Sequence, residues 1–105
     1  MLTKDALPIG SIVYLKKSLK KIMITGRLII DSEKEEQVVF DYSGCEYPKG
    51  VVDETILAFN QEDITDVRYR GYSDDDEEEL IKRMMEWQEE ELGLKQQEEA
   101  SELEL

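Results

Sequence analysis

The sequence contains no histidine, one cysteine, two prolines and no long apolar run. Each absence removes a class of function. Without histidine, the commonest general base and the commonest transition-metal ligand are both missing. Cys45 alone cannot form an internal disulfide. With no histidine to lower its pKa, it is expected as a partly buried structural residue, not a nucleophile. No apolar segment approaches the ~20 residues of a membrane-spanning helix. The N-terminus shows no basic region followed by an apolar stretch, so no signal peptide is expected. A cytoplasmic location is the resulting expectation, without membrane insertion. Positive charge is scarce as well: 13 Lys and Arg face 26 Asp and Glu, for a net charge of −13. Binding to a nucleic acid is therefore not expected, because attraction to phosphates comes from Lys and Arg. The excess acid serves solubility, or complements a basic protein partner.

What is present is unevenly placed. Residues 1–30 hold six Lys/Arg and a single acid, Asp5, whereas residues 71–105 hold three basic and fourteen acidic residues. The most apolar and only net-basic stretch is Leu7 to Ile30. It reads as a turn at Ile9-Gly10-Ser11, then a strand at Ile12–Leu15, a loop at Lys16–Lys21, and a second strand from Ile22 to Thr25. Gly26 interrupts the apolar run before Arg27–Ile30 resumes it, which predicts a bulge or bend. Asp31–Glu36 reads as a polar turn. Gln37–Tyr42 alternates, with Val38, Phe40 and Tyr42 on one face, the period of a half-buried strand. Ser43–Gly50, with two glycines and a proline, is expected to be a loop. Val51–Asn60 is ambiguous between a short strand and a helical turn. Asn60 is a plausible cap for a short helix or 3₁₀ turn, and Val67–Tyr72 alternates as a last strand.

Ser73 then opens a helix whose first turn, Asp74 to Glu79, is wholly acidic, as the helix dipole favours. The helix is expected to end near Leu92, with Gly93 as a stop. Consecutive acids on a helix point in different directions, and no central glycine is present. A charged helix start is therefore preferred to a calcium site, and neither metal nor cofactor is expected. The fold class is α+β: a bent, roughly five-stranded antiparallel sheet with a long C-terminal acidic helix. Residues 1–72 form a mainly β domain, 73–94 an amphipathic helix of the same domain, and 95–105 a frayed or disordered tail. Residues 1–6 are expected to fray too. The core is expected from Ile12, Tyr14, Ile22, Ile24, Leu28, Ile30, Val38, Phe40, Ile56, Phe59, Val67, Tyr69, Leu80, Met84 and Trp87.

Two features invite a partner. Met84, Met85 and Trp87 lie together on the helix, with Ile81 on the same stripe and Tyr72 just before it. Met and aromatic residues are enriched at protein contacts. If half of the stripe docks on the sheet, the rest is a partner site, or pairs two copies into a homodimer. The lysines Lys16, Lys17, Lys20 and Lys21 share one loop. They hydrate it and counter the acidic helix; the alternative is a patch for an anion or acidic partner.

Four blocks in order also carry a resemblance. LPIGSIV at Leu7–Val13, KKIMITGR at Lys20–Arg27, DYSGCEYPKG at Asp41–Gly50 and FNQEDI at Phe59–Ile64 resemble domain-of-unknown-function family 4176. These are small proteins of Gram-positive bacteria found beside type VII secretion loci and their LXG-type toxins. Members often carry glycines in the first hairpin loop, where this chain has Ser18-Leu19. The resemblance implies a non-enzymatic cytoplasmic accessory protein, a chaperone or adaptor that binds a toxin or another secretion substrate. An immunity protein that neutralises a toxin through its acidic surface is the alternative. No catalytic residue is implied.

Overall fold

In the computed structural model, which describes residues 2–31 and 38–93, five strands build one antiparallel sheet. They are β1 (Ile12–Leu15), β2 (Lys21–Asp31), β3 (Val38–Tyr47), β4 (Leu57–Phe59) and β5 (Ile64–Tyr69), in the order β4-β3-β2-β1-β5. Helix α1 (Asp75–Trp87) follows and continues into a π-helical turn, Gln88–Gly93. The fold is the expected α+β class. The polar turn expected at 32–36 and the tail expected at 95–105 lie outside the described residues.

The two edge strands, β4 and β5, are separated in the chain only by Asn60 and the 3₁₀ turn Gln61–Asp63. A flat five-stranded sheet would hold its edges ~19 Å apart, at ~4.8 Å per strand. Residues in a 3₁₀ turn advance only ~2 Å each. The sheet must therefore curl until its edges approach. Asn60 helps to hold the turn: its N–H donates to Asp63 Oδ2 at 2.9 Å, and its Oδ1 accepts from the Asp41 N–H at 3.0 Å. Asp41 Oδ2 accepts in turn from the Gln61 N–H at 2.8 Å.

The bend expected around Gly26 is a bulge. Ile24 pairs with Gly44 but Gly26 pairs with Ser43, so Thr25 is an extra residue in β2. One added residue exchanges the faces of everything after it. Arg27 and Ile29 consequently pair with Tyr42 and Phe40, and Ile30, expected inside, is exposed. Leu28 adopts a left-handed φ of 52° and still packs against the core.

The core consists of Leu2, Ala6, Leu7, Val13, Ile22, Ile24, Tyr42 and Phe59, with Leu15, Leu28, Ile64 and Met84 packed against it. Several expectations are corrected. In β1 the buried residue is Val13, which pairs with Ile22; Ile12 and Tyr14 face the other way and are half-buried. Ile56, Val67, Tyr69 and Leu80 are exposed. Ser43–Tyr47 is strand, not loop, because cross-strand pairing with β2 overrides the weak propensity of Ser-Gly. Gly44 serves a close approach: a Cβ there would lie 2.7 Å from Ile22 Cγ2 and 3.1 Å from Phe59 Cε1. The last strand starts at Ile64 and ends at Tyr69, three residues earlier than the alternation suggested.

Of the described residues expected to fray, Leu2 and Ala6 are instead packed into the core. Leu2, Ala6, Leu7 and Pro8 are buried. Tyr42, fully buried at the centre of β3, fastens this arm. Its hydroxyl accepts from the Leu7 N–H at 3.1 Å and donates to Gln61 Oε1. Replacing Tyr42 by Phe leaves the Leu7 N–H and the Gln61 amide without this partner. We expect a loss of about 1–3 kcal/mol in urea unfolding at neutral pH, read as a lower midpoint with an unchanged slope. The deficit depends on pH. Burial raises the Tyr42 pKa above its ordinary value, so below pH ~10 both folded and unfolded states keep the proton. Above that the unfolded state ionises first and the folded wild type loses stability. The gap between wild type and Tyr42→Phe should therefore narrow as pH rises past ~10.

Candidate functional site

The helix is capped one residue later than expected. Asp74, not Ser73, accepts at Oδ1 from the Glu77 N–H at 3.1 Å. The first-turn acids Asp75, Asp76, Glu77 and Glu78 lie where the helix dipole stabilises them. One of them is inward. Glu77 takes a bidentate contact from Arg27, with Nη1 donating to Oε2 at 2.8 Å and Nη2 donating to Oε1. Both side chains are nearly sealed, at 5% and 10% exposure. The same Nη1 also donates to the Leu7 carbonyl at 3.3 Å. At the far end of the helix, Gln88 is buried and behaves as a strand partner for the arm. Its Oε1 accepts from the Leu2 N–H at 2.8 Å and its Nε2 donates to the Leu2 carbonyl at 2.9 Å. A sequence scan for apolar stripes passes over Gln88, because amides are ordinary on a solvated helix face.

These two tethers set how the helix stripe is used. Met84 packs against the core, and Ile81 and Trp87 are half-buried. Met85 is 37% exposed and lines an open cleft of ≈ 280 Å³ with Leu2, Glu86, Gln88 and Glu89. Tyr72 is 79% exposed and stands apart from the stripe. Its hydroxyl hydrogen-bonds Asp74, which raises its pKa. The five residues singled out on and before the helix therefore do not form one surface: Met84 turns inward, and Met85 and Tyr72 face out.

A second surface was not anticipated. The face of the sheet away from the core carries two cross-strand rows. One runs Tyr47, Lys21, Tyr14 and Asp66; the next runs Cys45, Met23, Ile12 and Tyr69. Cys45 is buried in its row. Gly10, Ile12, Lys21, Met23, Tyr47, Arg68 and Tyr69 line an open groove of ≈ 460 Å³. Tyr69 is 62% and Tyr47 48% exposed. Two cations lie over rings: Lys21 Nζ is 5.8 Å from the Tyr47 centroid, and Arg68 Cζ is 5.8 Å from the Tyr14 centroid. Of the hairpin lysines, Lys21 lies on this face, whereas Lys20 turns to Glu46, the partner of Ile22 on the other side. Lys20 pairs with Glu46 on β3 at 3.0 Å and holds its carboxyl below the ordinary range. The alternation of Val67 and Tyr69 against Arg68 puts both on one face, but a register shift pairs Val67 with Val13 on the core side and Tyr69 with Ile12 on the outer side, which the alternation could not show.

Among the described residues, no group of three or more Cys, Asp or Glu is arranged to hold a metal ion, and no helix is long and apolar enough to cross a membrane.

One family model, described as Domain of unknown function (DUF4176), matches residues 6–80. The chain belongs to this family. The DUF4176 match spans the arm from Ala6 on, all five strands and the first turn and a half of α1, so both Arg27 and Glu77 lie inside it and Leu2 and Gln88 outside. No curated protein and no solved structure matches the chain.

The Arg27–Glu77 contact generates a sharp expectation. Glu77→Ala strands a buried guanidinium and should cost about 3–5 kcal/mol in chemical denaturation. Pairing Arg27→Met with Glu77→Leu removes both charges and should recover part of that loss, the remainder being the bond that Arg27 also gives the Leu7 carbonyl. A double variant as unstable as the single one would show that the orphaned charge is not what the single variant suffers from.

Proposed function

We propose that this DUF4176 protein is a non-enzymatic accessory factor of type VII secretion. It acts in the cytoplasm as a chaperone or targeting adaptor, binding a toxin or another secretion substrate before export. The observation that carries this reading is the apolar and aromatic surface left outside on both sides of the fold. Tyr47 and Tyr69 lie on the outer sheet face, and Leu80 and Met85 on the helix. A monomer that needed only to fold would gain by burying such groups, and clustered exposed apolar surface marks interaction sites. The resemblance to proteins encoded beside LXG toxin genes supplies the class of partner.

Co-purification tests it. Tagged full-length protein, produced in its native host together with an LXG toxin of that host, should retain the toxin on the column, and deletion of its gene should reduce the toxin in the culture medium. Absence of both effects overturns the adaptor reading. The acidic helix surface favours one competing reading, an immunity protein. That reading requires the protein to rescue cells from intracellular toxin, which an adaptor need not do.

A further inference from the structure

The outer sheet face differs in charge from the chain that surrounds it. Lys21 and Arg68 line its groove. Lys16, Lys17, Lys20 and Lys49, all exposed, border the same end of the sheet, because β1 ends, β2 begins and β3 ends there. Among the described residues no carboxylate lines the groove. Asp66, in the Tyr14 row, is paired with Arg68 at 3.6 Å; Glu46, which pairs with Ile22 on the core side, holds Lys20 at 3.0 Å, and Glu62 and Asp63 lead into β5 at the same end of the sheet. On a protein of net charge −13, this is a local cationic rim around an apolar floor of Ile12 and Met23 and the rings of Tyr47 and Tyr69.

We infer that this face docks an extended, acid-bearing segment of a partner protein. The segment's apolar side chains sit on Ile12, Met23, Tyr47 and Tyr69, and its carboxylates meet Lys21, Arg68 and the bordering lysines. This names the partner chemistry of the protein-binding reading above and rests on it. The groove volume suits a few side chains of a chain segment rather than a folded domain. The contacts of Lys21 and Arg68 with tyrosine rings hold both cations over the groove before any partner arrives, which lowers the ordering cost of binding. Charge also decides between acidic ligands. A few carboxylates in contact with the rim interact within a Debye length of ~8 Å and feel it directly. A nucleic-acid strand carries charge far beyond that range and meets the acidic remainder of the chain.

Fluorescence anisotropy with the full-length protein tests the inference. The probe is a labelled twelve-residue peptide alternating leucine and glutamate. Controls replace glutamate by lysine, or leucine by serine, and a single-stranded oligothymidylate serves as the nucleic acid. The leucine–glutamate peptide should bind best, and more weakly as salt rises. Tyr69→Ala and Lys21→Glu, both at exposed positions, should each weaken it roughly tenfold or more. Lys4→Glu makes the same charge change on the N-terminal arm and should alter affinity less than about twofold. Preference for the lysine peptide or the oligothymidylate overturns the inference, as does equal binding by wild type and Lys21→Glu. The two readings also fail separately. Toxin that co-purifies undiminished with Tyr69→Ala and Lys21→Glu refutes this face and leaves the adaptor role standing. Peptide binding without any toxin capture refutes the adaptor role alone.

Discussion

A stretch of irregular backbone is buried in this fold, and every polar group on it must find a partner. Leu2 to Ser11 has neither helix nor strand to satisfy its N–H and C=O groups, yet much of it lies in the core. An unpaired buried amide costs as much as a lost hydrogen bond. The surrounding elements supply the partners. Gln88 serves both groups of Leu2, Tyr42 and Arg27 serve the two ends of Leu7, and Arg70 reaches the Ala6 carbonyl at 3.5 Å. The turn closes on itself, with Ser11 Oγ donating to the Pro8 carbonyl at 2.7 Å and accepting from the Gly71 N–H at 2.9 Å. Backbone bonds from Gly10 to Ile24 and from Ile24 to Ser11 then fasten it to β2. Among the described residues, no buried side-chain nitrogen or oxygen lacks a partner.

The placement of the helix follows from the same constraint. Arg27 reaches Leu7 and Glu77 with one guanidinium, and Gln88 reaches Leu2 from the opposite end of the helical segment. The helix is thus held at both ends through the arm it covers. Its middle contributes Met84 to the core while its acidic side stays in solvent. Charge is sorted by the result. The acids of α1 collect on the helix side, and the lysines of the first hairpin collect at one end of the sheet.

Much of this was legible before any coordinates. Period two at Val38–Tyr42, the glycine break at Gly26, the Asn60 cap and the acidic start of α1 each act over a few neighbouring residues, and each appears near its expected place. What failed was the assignment of faces. Ile12, Val13, Tyr14 and Leu15 are all apolar, so β1 offers no alternation to say which side is inside. The bulge at Thr25 reverses the faces within β2, so Ile30 turns outward although its spacing from Ile24 places it inside. The candidate surface was harder still. Tyr14, Tyr47 and Tyr69 come from three strands, and only the pairing of β1 with β2 and β5, and of β2 with β3, brings their rows together.

By itself the sequence settled what depends on local chemistry: an α+β chain with an acidic helix, a family membership, and no histidine with which to build the commonest catalytic sites. Tertiary structure alone decided which side of each strand is wet, that Leu2, Ala6, Leu7 and Pro8 are buried, and that Gln88 and the Arg27 side chain are sealed in. The reason is that burial is a property of pairs. Gln88 is an unremarkable polar residue until Leu2 lies beside it, and Tyr69 is an expected core residue until the register shift in β5 sets it opposite Ile12 on the outer face.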